Sequence, residues 1–253
     1  MNKKDVTIIL ATSVIPDHPN TSMIDQTIKD IRVHFPDNEI IMQVDGLRAE
    51  QFDREKDYNE YKNRILWKCL HEYKNILPVI FNVHSHQSTM MRKTIKLVQT
   101  SLILYIEGDA PLTPDVSIDW DKCFDMIEYG KANTIRFHFE SKIPKEHMHL
   151  MFGIEDGFMK TAQWSQRPHI STVKYYKDFI LDACGEKTFI EDVVHGKIQD
   201  DMMPYDEFSN DGWEKHKLWI YYPEGNIKRS YHLDGRQGTR KFTSDDDIWG
   251  YKE

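Results

Sequence analysis

Residues 101–111 read Ser-Leu-Ile-Leu-Tyr-Ile-Glu-Gly-Asp-Ala-Pro, an apolar run that ends in two carboxylates, Glu107 and Asp109, one residue apart. Alternate residues on an extended chain point the same way, so both acids can face one cation or one ligand. Hard carboxylate oxygens suit Mg²⁺ or Mn²⁺, ions that commonly keep substrate phosphates in their shell. Gly108 between them would let a ligand approach the backbone closely. Acid-Gly-acid tripeptides also occur as plain strand-terminating turns. What distinguishes this one is the buried-strand pattern in front of it, and it reads as a holder for a metal–diphosphate.

Two more groups could join such chemistry. Glu191-Asp192 lies in Lys187-Thr-Phe-Ile-Glu-Asp-Val-Val-His195. A carboxylate over a crevice can take the proton from an attacking hydroxyl, although acids are also favoured at a helix N-terminus by its dipole. His232 lies in Arg229-Ser-Tyr-His-Leu-Asp-Gly-Arg236. A neutral imidazole can complete a metal site, and Arg236, Arg240 and Lys241 can neutralise phosphates. A histidine followed by cations around Gly235 and Gly238 suggests a loop closing on an anionic ligand; an ordinary charged tail is the alternative. His84/His86 and His147/His149 each lack a third ligand nearby, which favours structural or acceptor contacts over zinc. Trp164, Arg167 and His169 cluster after a strand-like run and suit stacking on a sugar or base as well as ordinary packing.

The elements that position these residues follow from periodicity. Strand-like runs cover 6–10, 39–44, 78–83 and 102–106, and helical spacing covers 22–35, 58–73 and 89–98. This β-α-β-α-β-α-β order predicts a parallel sheet with helices on both faces. Right-handed crossovers then bring Thr12-Ser13, Asp45 and Glu107/Asp109 to one edge, the expected ligand crevice. The second half is less regular. Helices are expected over 120–129 and 175–183, a short helix or turn over 189–195, and strands over 134–139, 147–154, 158–164 and 218–222. No linker or repeat divides the chain, so one domain of two halves, 1–110 and 111–253, is expected.

A chain of 253 residues that is 40% apolar supports a sizeable core. Its net charge of −8 argues against broad nucleic-acid binding, which relies on excess Lys and Arg. Cys69, Cys123 and Cys184 are odd in number and far apart, so a reducing, cytoplasmic setting is expected rather than a disulfide framework. No apolar stretch approaches the roughly 20 residues that span a bilayer.

With these residues in place, the chain resembles the GT-A class of nucleotide-sugar glycosyltransferases in its family-2-like style. The resemblance covers most of the chain in element order and only short motifs in residues. It implies a Rossmann-like, mixed and mostly parallel sheet flanked by helices. Glu107-Gly108-Asp109 would be the Asp-x-Asp motif, with Asp109 the better metal ligand because the first position departs from Asp. Glu191-Asp192 would supply the general base, Asp192 preferred, and His232 would be the late metal-binding histidine. Asp45 resembles the base-contacting acid, and Arg92 lies where a cation often meets the nucleotide. The implied reaction transfers a sugar from a nucleoside-diphosphate sugar, UDP-linked by preference, to an acceptor hydroxyl with Mn²⁺ or Mg²⁺ and inversion. A glycan, a protein side chain, a small metabolite or a hydroxymethylated pyrimidine in viral-type DNA are the acceptor candidates. For DNA, Arg136, Lys142, Lys145, Arg167 and Lys174 would form a local groove. A nucleotidyltransferase on sugar phosphates and a non-catalytic nucleotide-sugar-binding module remain alternatives. Oligomeric state is not legible.

Overall fold

The computed structural model describes residues 1–223 and 228–233. Its centre is a nine-stranded mixed sheet in the order β3-β2-β1-β4-β8-β5-β9-β7-β6. The strands are β1 (Val6–Thr12), β2 (Ile40–Val44), β3 (Ile76–Ile80), β4 (Leu102–Glu107), β5 (Thr134–Arg136), β6 (Met151–Glu155), β7 (Phe158–Thr161), β8 (His169–Thr172) and β9 (Leu218–Tyr221).

All residues of β1 and β2 are buried, as near-continuous apolar runs in a two-sided parallel sheet should be. Helix α1 (Ser22–His34) buries Ile24, Ile28 and Ile31 at helical spacing. Helix α2 (Glu55–His71) buries Tyr58, Tyr61 and Ile65, and α3 (His86–Thr94) leads to β4. Thus β1 to β4 form the expected parallel half, β1 pairing with β2 and β4 and β2 with β3.

Beyond β4 the sheet changes direction. Strand β8 lies antiparallel between β4 and β5, and β9 runs parallel to β5. Strand β7 pairs antiparallel with β9, and β6 pairs antiparallel with β7 at the edge of the sheet. Helix α4 (Trp120–Glu128), capped by Asp119, buries Trp120, Cys123, Phe124 and Ile127. Residues 173–183 form one helix, in which the π-helical turn Tyr176–Ile180 joins α5 (Val173–Tyr175) to α6 (Leu181–Ala183). Helices α7 (Ile190–Met202) and α8 (Asn210–His216) follow. Strand β8 and helix α8 are not anticipated by the sequence pattern. Of the strand expected over 147–154, residues 145–150 form a 3-10 turn instead.

The segment 228–233 returns across the molecule. It pairs antiparallel with 109–113 through Leu233 N–H to the Asp109 carbonyl (2.7 Å), Tyr231 N–H to Pro111 (3.1 Å) and Thr113 N–H to Arg229 (2.9 Å). No helix among the described residues is long and apolar enough to cross a membrane.

Candidate active site

The register Ala11↔Glu107 and Thr12↔Val44 sets the ends of β1, β2 and β4 side by side. A cavity of about 280 Å³ opens there, walled by Thr12, Ser13, Asp45, Glu107, Gly108 and Asp109, as the sequence predicts. The wall also holds His18, Arg48, Gln51, Tyr61, His86, Gln87 and Phe189, which carry no motif. His18 reaches it because its ring stacks on Tyr61 at 3.8 Å while its Nδ1 accepts from Ile15 N–H.

Asp45 is committed to the protein. Its carboxylate accepts from the backbone N–H groups of Gly46 (2.8 Å), Ser85 (2.7 Å) and His86 (3.0 Å) and meets His84 Nδ1 at 3.1 Å. It therefore shapes the loop that borders the cavity. Gly46 permits this closeness, since a Cβ there would overlap the backbone of Val83 and His84. Gly108 works differently from the sequence expectation. It is buried, its missing Cβ would face Ala11, Ile24 and Thr12, and its N–H and carbonyl bond to Ala11 and Thr27. Its small size thus faces the protein rather than a ligand.

Arg92 is not in the cavity wall. Its guanidinium donates to the carbonyls of Leu181 and Cys184, tying α3 to the end of α6. Arg236, Arg240 and Lys241 lie outside the described residues.

A second cavity of about 270 Å³ is walled by Glu107, Ala110, Phe139, Ser165, Gln166, Arg167, Pro168, Glu191, Ser230, Tyr231 and His232. Glu107 belongs to both walls. Burial, with the charges of Asp109 and Glu191 beside it, holds its carboxyl well above the usual carboxylate range. Gln87 Nε2 donates to Glu107 at 2.8 Å, and Gln87 Oε1 accepts from Ile190 N–H at 3.3 Å. This one side chain therefore links the β4 end to the start of α7.

The first turn of α7 carries Glu191 and Asp192 in different settings. Glu191 faces the second cavity and accepts from Gln166 N–H at 2.9 Å. Asp192 is exposed and in neither wall. On the seam, Asp109 Oδ2 lies 3.4 Å from His232 Nε2, brought there by the 228–233 segment. The Asp109 carboxylate suits Mn²⁺ or Mg²⁺, and the His232 imidazole beside it favours a transition ion such as Mn²⁺ over Mg²⁺. Among the described residues no three His, Cys, Asp or Glu side chains gather as a metal cluster.

Of the predicted acceptor residues only Arg167 lines the second cavity, donating to Glu140 at 2.9 Å and lying over the Phe139 ring. Trp164 is 2% exposed and packs against His169 and Tyr176. His169 is fully buried, bonded to Tyr176 (2.6 Å) and the Arg167 carbonyl (2.7 Å), and burial pushes it down to about 4. Both are core residues rather than open stacking faces. Of the five cations considered for a DNA groove, Arg136 is 3% exposed and bonded to Gln163, and Lys174 pairs with Asp178.

No protein-family model and no curated protein matches this chain. Solved structures do. Residues 1–349 of S. aureus TarS in complex with UDP-GlcNAc match at a TM-score of 0.54 and 11% identity, covering 97% of this chain and 63% of that one. A UDP-glucose pyrophosphorylase complexed with UDP-glucose matches at 0.50 and 10% identity, covering 89% and 92%. The chain spans only 36% of a longer TarS structure. The chain has the GT-A type of α/β fold.

Proposed function

We propose that this chain is a divalent-metal-dependent glycosyltransferase that moves a sugar from a nucleoside-diphosphate sugar, UDP-linked by preference, to an acceptor hydroxyl with inversion. The observation that carries this reading is the meeting of two cavities at Glu107, with Glu191 on one side and the Asp109–His232 pair at the seam. The donor occupies the cavity at the ends of β1, β2 and β4, and the acceptor the other.

Glu191 takes the proton of the acceptor hydroxyl as its oxygen bonds to the anomeric carbon. The bond from that carbon to the diphosphate oxygen breaks, and the nucleoside diphosphate leaves with the electron pair. The Gln166 N–H keeps one Glu191 oxygen in place. Asp192, preferred on sequence grounds, is exposed and outside both walls, so the role passes to its neighbour. Asp109 and His232 are the residues that would hold Mn²⁺ or Mg²⁺. Such an ion, when bound, offsets negative charge on the diphosphate.

A thermal-shift panel of nucleoside diphosphates and nucleotide sugars tests the donor half. Ligand at 100 times its Kd stabilises by about 2.7 kcal/mol, so at least one diphosphate should raise Tm, and more so with Mn²⁺. No shift from any of them at millimolar concentration would contradict the reading. Product analysis separates the alternatives, since a nucleotidyltransferase releases pyrophosphate and a binding module releases nothing.

A further inference from the structure

Gln166 is 4% exposed and lines the second cavity, yet neither its amide oxygen nor its amide nitrogen has a partner among the described residues. A buried amide with both ends unpaired costs about 1–3 kcal/mol per group. A bound molecule that accepts from the nitrogen and donates to the oxygen would remove that cost. The last torsion of a glutamine is soft, so turning either edge of the amide toward the cavity is easy. Its backbone N–H already holds Glu191, so the same residue stands beside the proton acceptor.

The remaining wall narrows what that molecule is. Glu107 and Glu191 are both acids, and the Arg167 guanidinium meets Glu140 and lies over Phe139. An anionic acceptor would meet the Glu191 carboxylate, while the Arg167 guanidinium of the described wall already meets Glu140. The covered Phe139 face and the buried Trp164 offer no platform for a nucleobase. Ser165 and Ser230 add small polar groups to the wall.

We infer that the second cavity takes a neutral sugar with adjacent hydroxyls: one hydroxyl faces Glu191, and its neighbour both donates to and accepts from the Gln166 amide. This rests on the glycosyl-transfer reading above and specifies its acceptor. Gln166 is then a specificity-determining residue.

The test uses the full chain, the donor selected by the thermal-shift panel, and Mn²⁺, with nucleoside-diphosphate release as the signal. Probes are methyl hexopyranosides of gluco, galacto and manno configuration, their monodeoxy derivatives, and duplex DNA containing hydroxymethylcytosine. At least one methyl glycoside should accelerate release. Its analogue lacking the hydroxyl next to the reacting one loses both hydrogen bonds to the amide and should fall at least about tenfold in kcat/KM. In Gln166→Leu that ratio should approach one, with the loss chiefly in KM. DNA as the preferred acceptor, no acceleration by any methyl glycoside, or a variant that keeps the discrimination would overturn the inference. Should the variant not fold, parent and monodeoxy rates in the wild-type chain still decide it. Failure of every donor to bind would instead remove the glycosyl-transfer reading itself.

Discussion

Asp109 and Glu191 divide the proposed chemistry between them, one at the donor seam and one against the acceptor, and their amide variants should fail differently. In Asp109→Asn, Mn²⁺-dependent release of nucleoside diphosphate should disappear while Tm without metal stays near wild type. Near-normal turnover would remove Asp109 from the metal site. In Glu191→Gln, donor affinity by calorimetry should survive while transfer falls about 10²- to 10⁴-fold, the usual worth of a general base. Asp192→Asn should stay within a few-fold of wild type, and a collapse there would return the base role to Asp192. Residue type and place in a motif bring the acids and His232 forward from the sequence as candidates. Neutral polar side chains such as Gln87 and Gln166 gave no signal, because their role is defined only by what the fold sets beside them. Arg92 shows the converse. A cation in a plausible place is used to satisfy two backbone carbonyls at the end of α6.

Among the elements, the loop after β2 and the start of α7 hold the site's shape. Gly46→Ala would drive a methyl group into the backbone of Val83 and His84, next to the N–H groups that bind Asp45. Overpacking of this kind costs about 1–3 kcal/mol, so urea unfolding should show at least that loss; unchanged stability would mean that the loop is free to move away. Gln87→Leu should lower kcat more than it weakens donor binding, because it uncouples Glu107 from the helix that carries Glu191. Equal effects on both would reduce Gln87 to a simple packing role. The parallel half was readable because β1, β2 and β4 are mostly apolar and their helices keep period. Strand β8 was not, since His-Ile-Ser-Thr offers one aliphatic residue in four and owes its place to pairing with β4 and β5. Helix α8 begins Asn-Asp-Gly and is fixed by its Ser209 cap and the buried Trp213 rather than by propensity.

At the scale of the whole molecule, three buried histidines contribute to acid stability. Burial pushes His18, His138 and His169 down to about 4, with Arg54 adding to the effect at His18, and all three are neutral in the folded chain at neutral pH. Unfolding returns them to about 6.5, so the unfolded chain binds more protons between those values. Their contribution is present above about pH 6.5 and is lost as pH falls toward 4. Near pH 5.2 they account for about three protons taken up on unfolding. Each should vanish from the calorimetric proton count when its histidine is replaced by glutamine, and an unchanged count would contradict the assignment. Transfer between two cavities that share Glu107 is tested most directly by nucleoside-diphosphate release from a bound nucleotide sugar, with and without a methyl glycoside, in wild type and Glu191→Gln. Glycoside-stimulated release is expected in the wild type, and its loss in the variant with donor binding intact. Equal stimulated release by both proteins would rule out transfer through Glu191.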